Sequence, residues 1–158
     1  MSQPVSASSA ASSAVQYVGF WARVLASLID TVTIGFVIAI AAYFLGVPTQ
    51  FTLDGDGLLV TNPTNPVGFG FDQILTAALV IGFWVWKMAT PGKMVISAVI
   101  VDAETLGKPS IGQAIGRYLA YFVSIFGLML GFVWVAFDKR KQGWHDKIAG
   151  TLVIKKPV

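Results

Sequence analysis

The run "FWARVLASLIDTVTIGFVIAIAAYFLG" constrains this chain more than any other feature. Between Val24 and Leu45 the one charged residue is Asp30, and Arg23 stands seven positions before it. A helix of about 20 apolar residues crosses the ~30 Å hydrocarbon core of a bilayer. The run therefore predicts a membrane span from about Gly19 to Leu45, stopped by Gly46 with Pro48 just beyond. A second span is predicted in "GFGFDQILTAALVIGFWVWKMAT", with Asp72 near its start and Trp84, Trp86 and Lys87 at its far end. Amphipathic rings and a long amine suit a membrane interface.

Composition supports the same class. Of the 158 residues, 55% are hydrophobic and only 12% charged, whereas soluble domains carry about 25% charged residues. The mean hydropathy is +0.71. So few charges leave too little polar surface to coat a soluble globule. With no cysteine, disulfides, zinc–thiolate sites, iron–sulfur clusters and thiol nucleophiles are excluded. The net charge is +3, but the basic residues flank apolar runs and form no face of a soluble fold. A nucleic-acid partner is therefore not expected.

Residues 1–16, "MSQPVSASSAASSAVQ", read as a disordered Ser/Ala-rich tail without the basic and apolar regions of a signal peptide. Residues 17–158 read as one membrane domain. Between the two spans, "VPTQFTLDGDGLLVTNPTNPVG" is an acidic loop with a small hairpin around Asp54 and Asp56. It lacks the third ligand and the closing Glu of a calcium loop, so no metal and no cofactor is expected. "TPGK" reads as a turn, because a phosphate loop needs an earlier Gly and a following Ser or Thr. The β-branched runs "KMVISAVIVD" and "AGTLVIKK" are expected to pair as a small sheet at the cytoplasmic surface.

Charge sets the orientation. Apart from Arg23, every Lys and Arg lies from Lys87 onward, and basic loops stay on the cytoplasmic side. Both the Lys87–Arg117 region and the tail from Lys139 to Lys156 therefore belong inside. A single third span through the apolar run from Ile111 to Phe137 would push that tail outside. Two arms of about 14 residues, ~21 Å each at 1.5 Å per residue, resolve the conflict. The expected fold is thus an all-α membrane protein: a small transmembrane helix bundle of two full spans plus a short helical hairpin. Both termini lie on the cytoplasmic side of the membrane, and three simple spans is the rival.

Arg23, Ser27 and Asp30 fall on one helix face. Asp30 lies about 10 Å deeper than Arg23, where an acid costs ~2.5–3.5 kcal/mol. A partner cation, protonation or a water-filled cavity must offset that, and Arg117, the other charge inside an apolar arm, is a candidate partner. The plainer readings are an interfacial anchor for Arg23 and a helix–helix contact for Asp30. In "KRKQGWHDKIAG", His145 and Asp146 form either an interfacial helix end anchored by Trp144 or an acid at the mouth of a polar path. "GQAIG" and "GLMLG" match the spacing that lets helices approach closely, which favours a homo-oligomer.

The stretches "FWARVLASLID", "TPGKMVISAVIVDAETLGKPS" and "KQGWHDKIAGTLVIKK" resemble the RDD family of bacterial membrane proteins, and the resemblance runs from Tyr17 to Lys156. Arg23 matches the family arginine, Asp30 its first aspartate, and Asp146 its second, with Asp138 close by as the alternative. The resemblance implies transport of ions or other ligands, with some members similar to cation/proton antiporters. Asp30 would then be the carboxylate that exchanges a proton for a monovalent cation, tuned by Arg23 or Arg117. The alternative is a non-transporting scaffold or accessory subunit holding an unknown membrane partner. An enzyme is not expected, since no motif joins the single histidine to a serine.

Overall fold

The computed structural model describes residues 15–47, 51–53, 59–61 and 65–156. Most of the expected Ser/Ala-rich tail, and Asp54 and Asp56 of the acidic loop, lie outside the described residues.

Helix α1 (Phe20–Leu45) is the first expected span. Its 26 residues reach about 39 Å, enough to cross the hydrocarbon core with tilt. Gly46 ends it at φ 63, a left-handed position that favours glycine. Strands β1 (Phe51–Leu53) and β2 (Leu59–Thr61) then pair antiparallel around the acidic loop. Helix α2 (Pro66–Lys87) is the second span, started by Pro66 and by the Asn65 side chain, which accepts from the Gly68 N–H. At its other end the Lys87 amine lies 4.2 Å from the centre of the Trp86 ring.

Met88 takes φ 56 and stops α2. Helix α3 (Pro91–Val95) follows at once, and β3 (Ala98–Asp102) pairs antiparallel with β4 (Thr151–Lys155), Ala98 opposite Lys155 and Asp102 opposite Thr151. The expected pairing of the two β-branched runs is therefore present. The segment before α1 joins it: Tyr17 bridges Ile154, and the Val18 N–H donates to the Val153 carbonyl. The segment leading into α1 is thus tied to β4.

Helix α4 (Ile111–Phe126) opens with a capping box in which Ser110 and Gln113 satisfy each other's backbone N–H groups. It buries Ala114, Arg117, Ala120 and Ser124 on one face. The chain then breaks at Leu128 and Met129, both at positive φ, and bends by 113° into a short stretch from Leu130 to Ala136. That stretch comprises α5 (Leu130–Val133) and one 3-10 turn. The turn of the helical hairpin is present, but its returning arm is much shorter than the ~14 residues expected. The chain needs the remaining length for α6 (Trp144–Ile148) and the loop before it, which fold back under α4. Among the described residues, Phe20–Leu45 and Pro66–Val95 (α2 continued through α3) are long and apolar enough to cross a membrane, with the bent pair as a third if counted as one span.

The two glycine pairs do different work. Gly131 packs on Ser124, and Gly127 faces Trp144, so "GLMLG" serves the chain's own fold. In "GQAIG", Gly116 has nothing within 4 Å and Gly112 meets only the Ser110 Oγ at 3.9 Å. A methyl added at Gly131 would sit 2.9 Å from the Ser124 Cα, so Gly131→Ala is expected to destabilise by about 1–3 kcal/mol. Gly116→Ala should leave thermal stability in detergent unchanged or raise it. Melting curves followed by circular dichroism would show the contrast.

Candidate functional site

Asp146 is the centre of the charged constellation. It is fully buried, in the first turn of α6, where its Oδ2 accepts from the Gly143 N–H and completes the helix start. Arg23 reaches the same oxygen from α1 at 2.5 Å, and Arg117 approaches the Oδ1 from α4 at 2.6 Å. Arg23 also donates to the carbonyls of Val18 and Lys141, while Arg117 donates to the Thr151 hydroxyl at 2.9 Å. One carboxylate thus joins the first helix, the fourth helix and the C-terminal segment.

Burial raises the cost of ionising Asp146, but the two guanidinium groups outweigh it and hold the carboxyl well below its ordinary range. Asp138, the alternative from the sequence, is elsewhere: it pairs with Lys147 and accepts the backbone N–H groups of Arg140 and Gln142. The carboxylate joined to Arg23 is Asp146.

Asp30 has a different environment from the one the sequence suggested. Its partner is not Arg117. Its Oδ2 accepts from the Thr90 hydroxyl at 2.5 Å, its Oδ1 from the Gly92 N–H at 2.7 Å, and the Lys93 amine lies 3.9 Å away. Asp30 therefore caps the start of α3, and every residue of "TPGK" has a part in the contact. Thr90 supplies a hydroxyl, Pro91 an N1 residue that needs no acceptor, and Lys93 a cation. Gly92 supplies the N–H and the absence of a side chain, since a Cβ there would collide with the Ala26 carbonyl. The sequence reading treated "TPGK" as a plain turn. The readable signal was proline at a helix start beside glycine, but what it docks against lies sixty residues earlier.

Ser27 donates to the Arg23 carbonyl one turn back and makes no contact with the ion cluster. His145 packs against the rings of Tyr121 (4.5 Å) and Phe132 (5.0 Å), which also touch each other. The fold also brings Ser124 to 3.4 Å from its Nδ1, a proximity that no motif announced. Ser124 is fully buried under Gly131 and donates to the Ala120 carbonyl.

A cavity of about 710 Å³ opens beside these groups, between α1, α2, α4 and the bend after α4. Arg23, Ser27, Asp30, Thr90, Lys93, Arg117 and His145 line one end. Farther along the same helices its walls carry no charge and are mostly aliphatic: Ile34 and Ile38 on α1, Val80 on α2 and Ile125 on α4, with Thr76 of α2 adding a hydroxyl. Three of the five residues singled out in the sequence line it as charges, Ser27 lines it as a hydroxyl, and Asp146 lies behind it. Thr90 and Lys93 were not anticipated, and Trp84, expected as an interfacial anchor, is buried on the cavity wall.

Residues 17–150 match the RDD family. The chain belongs to the RDD family. Its relatives include the uncharacterized protein RP437 of Rickettsia prowazekii (strain Madrid E), 39% identical over 87 residues. That match covers 55% of this chain and 48% of the Rickettsia protein, about half its length. The uncharacterized protein YxaI of Bacillus subtilis (strain 168) is 29% identical over 156 residues, 87% of this chain and 97% of that protein. No solved structure matches the chain. This RDD family member is a membrane protein, with two apolar helices of spanning length.

Removing the charge of Asp146 leaves two buried cations facing each other, so Asp146→Asn is expected to cost about 3–5 kcal/mol and to abolish a cooperative melt. Asp30→Asn puts an amide NH2 donor in place of one of the two oxygens that accept from Thr90 and Gly92, and is expected to cost about 1–3 kcal/mol.

Acid has a separate effect through His145. Burial brings His145 down to about 3, reinforced by Arg117, Arg23 and Lys93 and opposed by Asp146, whereas an unfolded histidine titrates near 6.5. Between those values the unfolded chain takes up a proton that the folded chain refuses. The stability contributed by neutral His145 is therefore full above pH 6.5 and falls with decreasing pH, by about 1.4 kcal/mol per pH unit. Melting temperatures from pH 7.5 to 4.5 should show this decline, flattened in His145→Asn.

Proposed function

We propose that this RDD family member is a multi-pass protein of the bacterial cell membrane, with both termini in the cytoplasm, that binds a small solute in the cavity and carries it across without catalysing a reaction. One observation supports this reading: a cavity with buried charges at one end lies between membrane helices. From Arg23 to Ile38 it follows α1 for about 22 Å, most of the ~30 Å hydrocarbon core. Its volume falls within the ~300–1,000 Å³ of small-molecule sites.

The balance of charge favours an anionic solute. Arg23, Lys93 and Arg117 line the cavity against a single lining carboxylate, Asp30. Exchange of a monovalent cation for a proton at Asp30 is the second reading, and the place of Asp30 on the cavity wall favours it. Against it, both carboxylate oxygens already accept hydrogen bonds and an amine stands beside them. A scaffold role draws support from the open Gly112–Gly116 face, which also suits self-association or a membrane partner.

The chain has no cysteine, so single cysteines can be labelled without background. Cysteine at Ser27 should react with membrane-impermeant thiosulfonates from the cytoplasmic side, and cysteine at Ile38 or Thr76 from the outside. At Ser27 the anionic reagent should react about tenfold faster than the cationic one. Silence at all three positions would leave only the scaffold. The exposed Lys108 and Lys139, replaced by cysteine, should label only from the cytoplasm. In proteoliposomes with an internal pH dye, sodium or potassium gradients should move no protons; proton movement lost in Asp30→Asn would establish the second reading instead.

A further inference from the structure

We infer that the cavity takes a single-chain amphiphile with one negative charge, its head against Lys93, Arg117 and Trp84 and its tail along Ile34, Ile38, Val80 and Ile125. The inference rests on the ligand-binding role proposed for the same cavity and names its ligand class.

The polarity of the walls is the first argument. Along α1 the lining residues run from Arg23, Ser27, Asp30 and Thr31 to Ile34, Gly35 and Ile38; along α2 from Trp84 to Val80 and Thr76; along α4 from Arg117 and Tyr121 to Ile125. The lining charges of α1 and α4 share one end with Trp84 of α2, and the other end carries aliphatic side chains and no charge, with the Thr76 hydroxyl as its polar group. A solute polar throughout would strand its far end against aliphatic side chains, and a wholly apolar one would desolvate the cations without compensation.

The second argument is unpartnered donors. The Trp84 Nε1 and the Arg117 Nε have no acceptor, although both residues are 99% buried, with a relative exposure of 1%. Both line the cavity at its charged end, with the Arg117 guanidinium carbon 5.2 Å from the Trp84 ring centre. The Lys93 amine, also buried, has only long contacts, 3.4 Å to the Thr90 hydroxyl and 3.9 Å to Asp30. Donors without acceptors call for an oxygen ligand, and a carboxylate or phosphodiester head supplies it.

Charge and length fix the rest. The cluster holds three cations, Arg23, Lys93 and Arg117, against two carboxylates, Asp30 and Asp146, and buried His145 is neutral. One positive charge remains, which one monoanionic head neutralises. From Asp30 to Ile38 the apolar section measures about 12 Å, close to the ~15 Å of one leaflet. That length suits one acyl chain.

The test uses the full chain in a bulky steroidal detergent, titrated calorimetrically with dodecanoate, dodecylammonium and acetate. Dodecanoate should bind saturably at one site per chain, and acetate and dodecylammonium should not. Lys93→Met should weaken dodecanoate at least about tenfold. Val80→Trp, which fills the apolar section away from the Asp30 contacts, should abolish binding and keeps the test decisive if the lysine variant does not fold. Equal affinity for dodecylammonium, binding of acetate as tight as that of dodecanoate, or unchanged binding in Val80→Trp would each overturn the inference. Dodecanoate binding without two-sided cysteine access would refute transport and leave the ligand class standing; two-sided access without dodecanoate binding would do the reverse.

Discussion

The fold depends on a buried carboxylate held between two arginines. Taking three charged groups out of water costs several kcal/mol per ion, recovered only where geometry is close and remaining hydrogen-bond sites are filled. Asp146 meets the first part of that condition, with Arg23 and the Gly143 N–H on one oxygen and Arg117 ion-paired to the other, while the Arg117 Nε is left without an acceptor. The arginines in turn reach carbonyls at Val18 and Lys141 and the Thr151 hydroxyl. Hydrophobic burial cannot play this part between helices whose outer surfaces face lipid, because acyl chains are as apolar as leucine. Polar contacts supply the specificity instead, and they are concentrated at the end where the sheet and the short helices cover them.

The second acid shows the same economy on a smaller scale. Asp30 fixes α3 against α1 by satisfying the N-terminal groups that a five-residue helix leaves open. The carboxylate read from the sequence as a candidate ion-exchange centre also docks α3 on α1. The cavity beside it owes its charged character more to the cations: Lys93 is drawn in by Asp30, and Arg23 and Arg117 by Asp146.

Much of this was legible in the residues. The two spans follow from unbroken apolar length, and the β3–β4 pairing from β-branched runs between turn residues. The break after α4 was foreshadowed by Gly127 and Gly131 and by the charge conflict that a straight third span creates. Arg23, Asp30, Arg117 and Asp146 could be picked out because a charge in or beside an apolar run is expensive. Their pairing could not be read. Helical spacing relates Arg23 to Ser27 and Asp30 but carries no information about α6, more than a hundred residues away. The seven-residue return after the bend was hidden for a related reason, since "FVWVAF" is as apolar as a span and only its packing against α6 shows that it does not continue as one.

The link between Arg23 and Asp146 spans 123 positions of sequence, and the strand beside Tyr17 is β4 itself. α1 therefore precedes by more than a hundred residues the carboxylate that compensates its arginine, and Arg117 precedes it too. Neutralisation waits until α6 has been made. A chain halted before α6 would hold two guanidinium groups without the carboxylate that pairs with them.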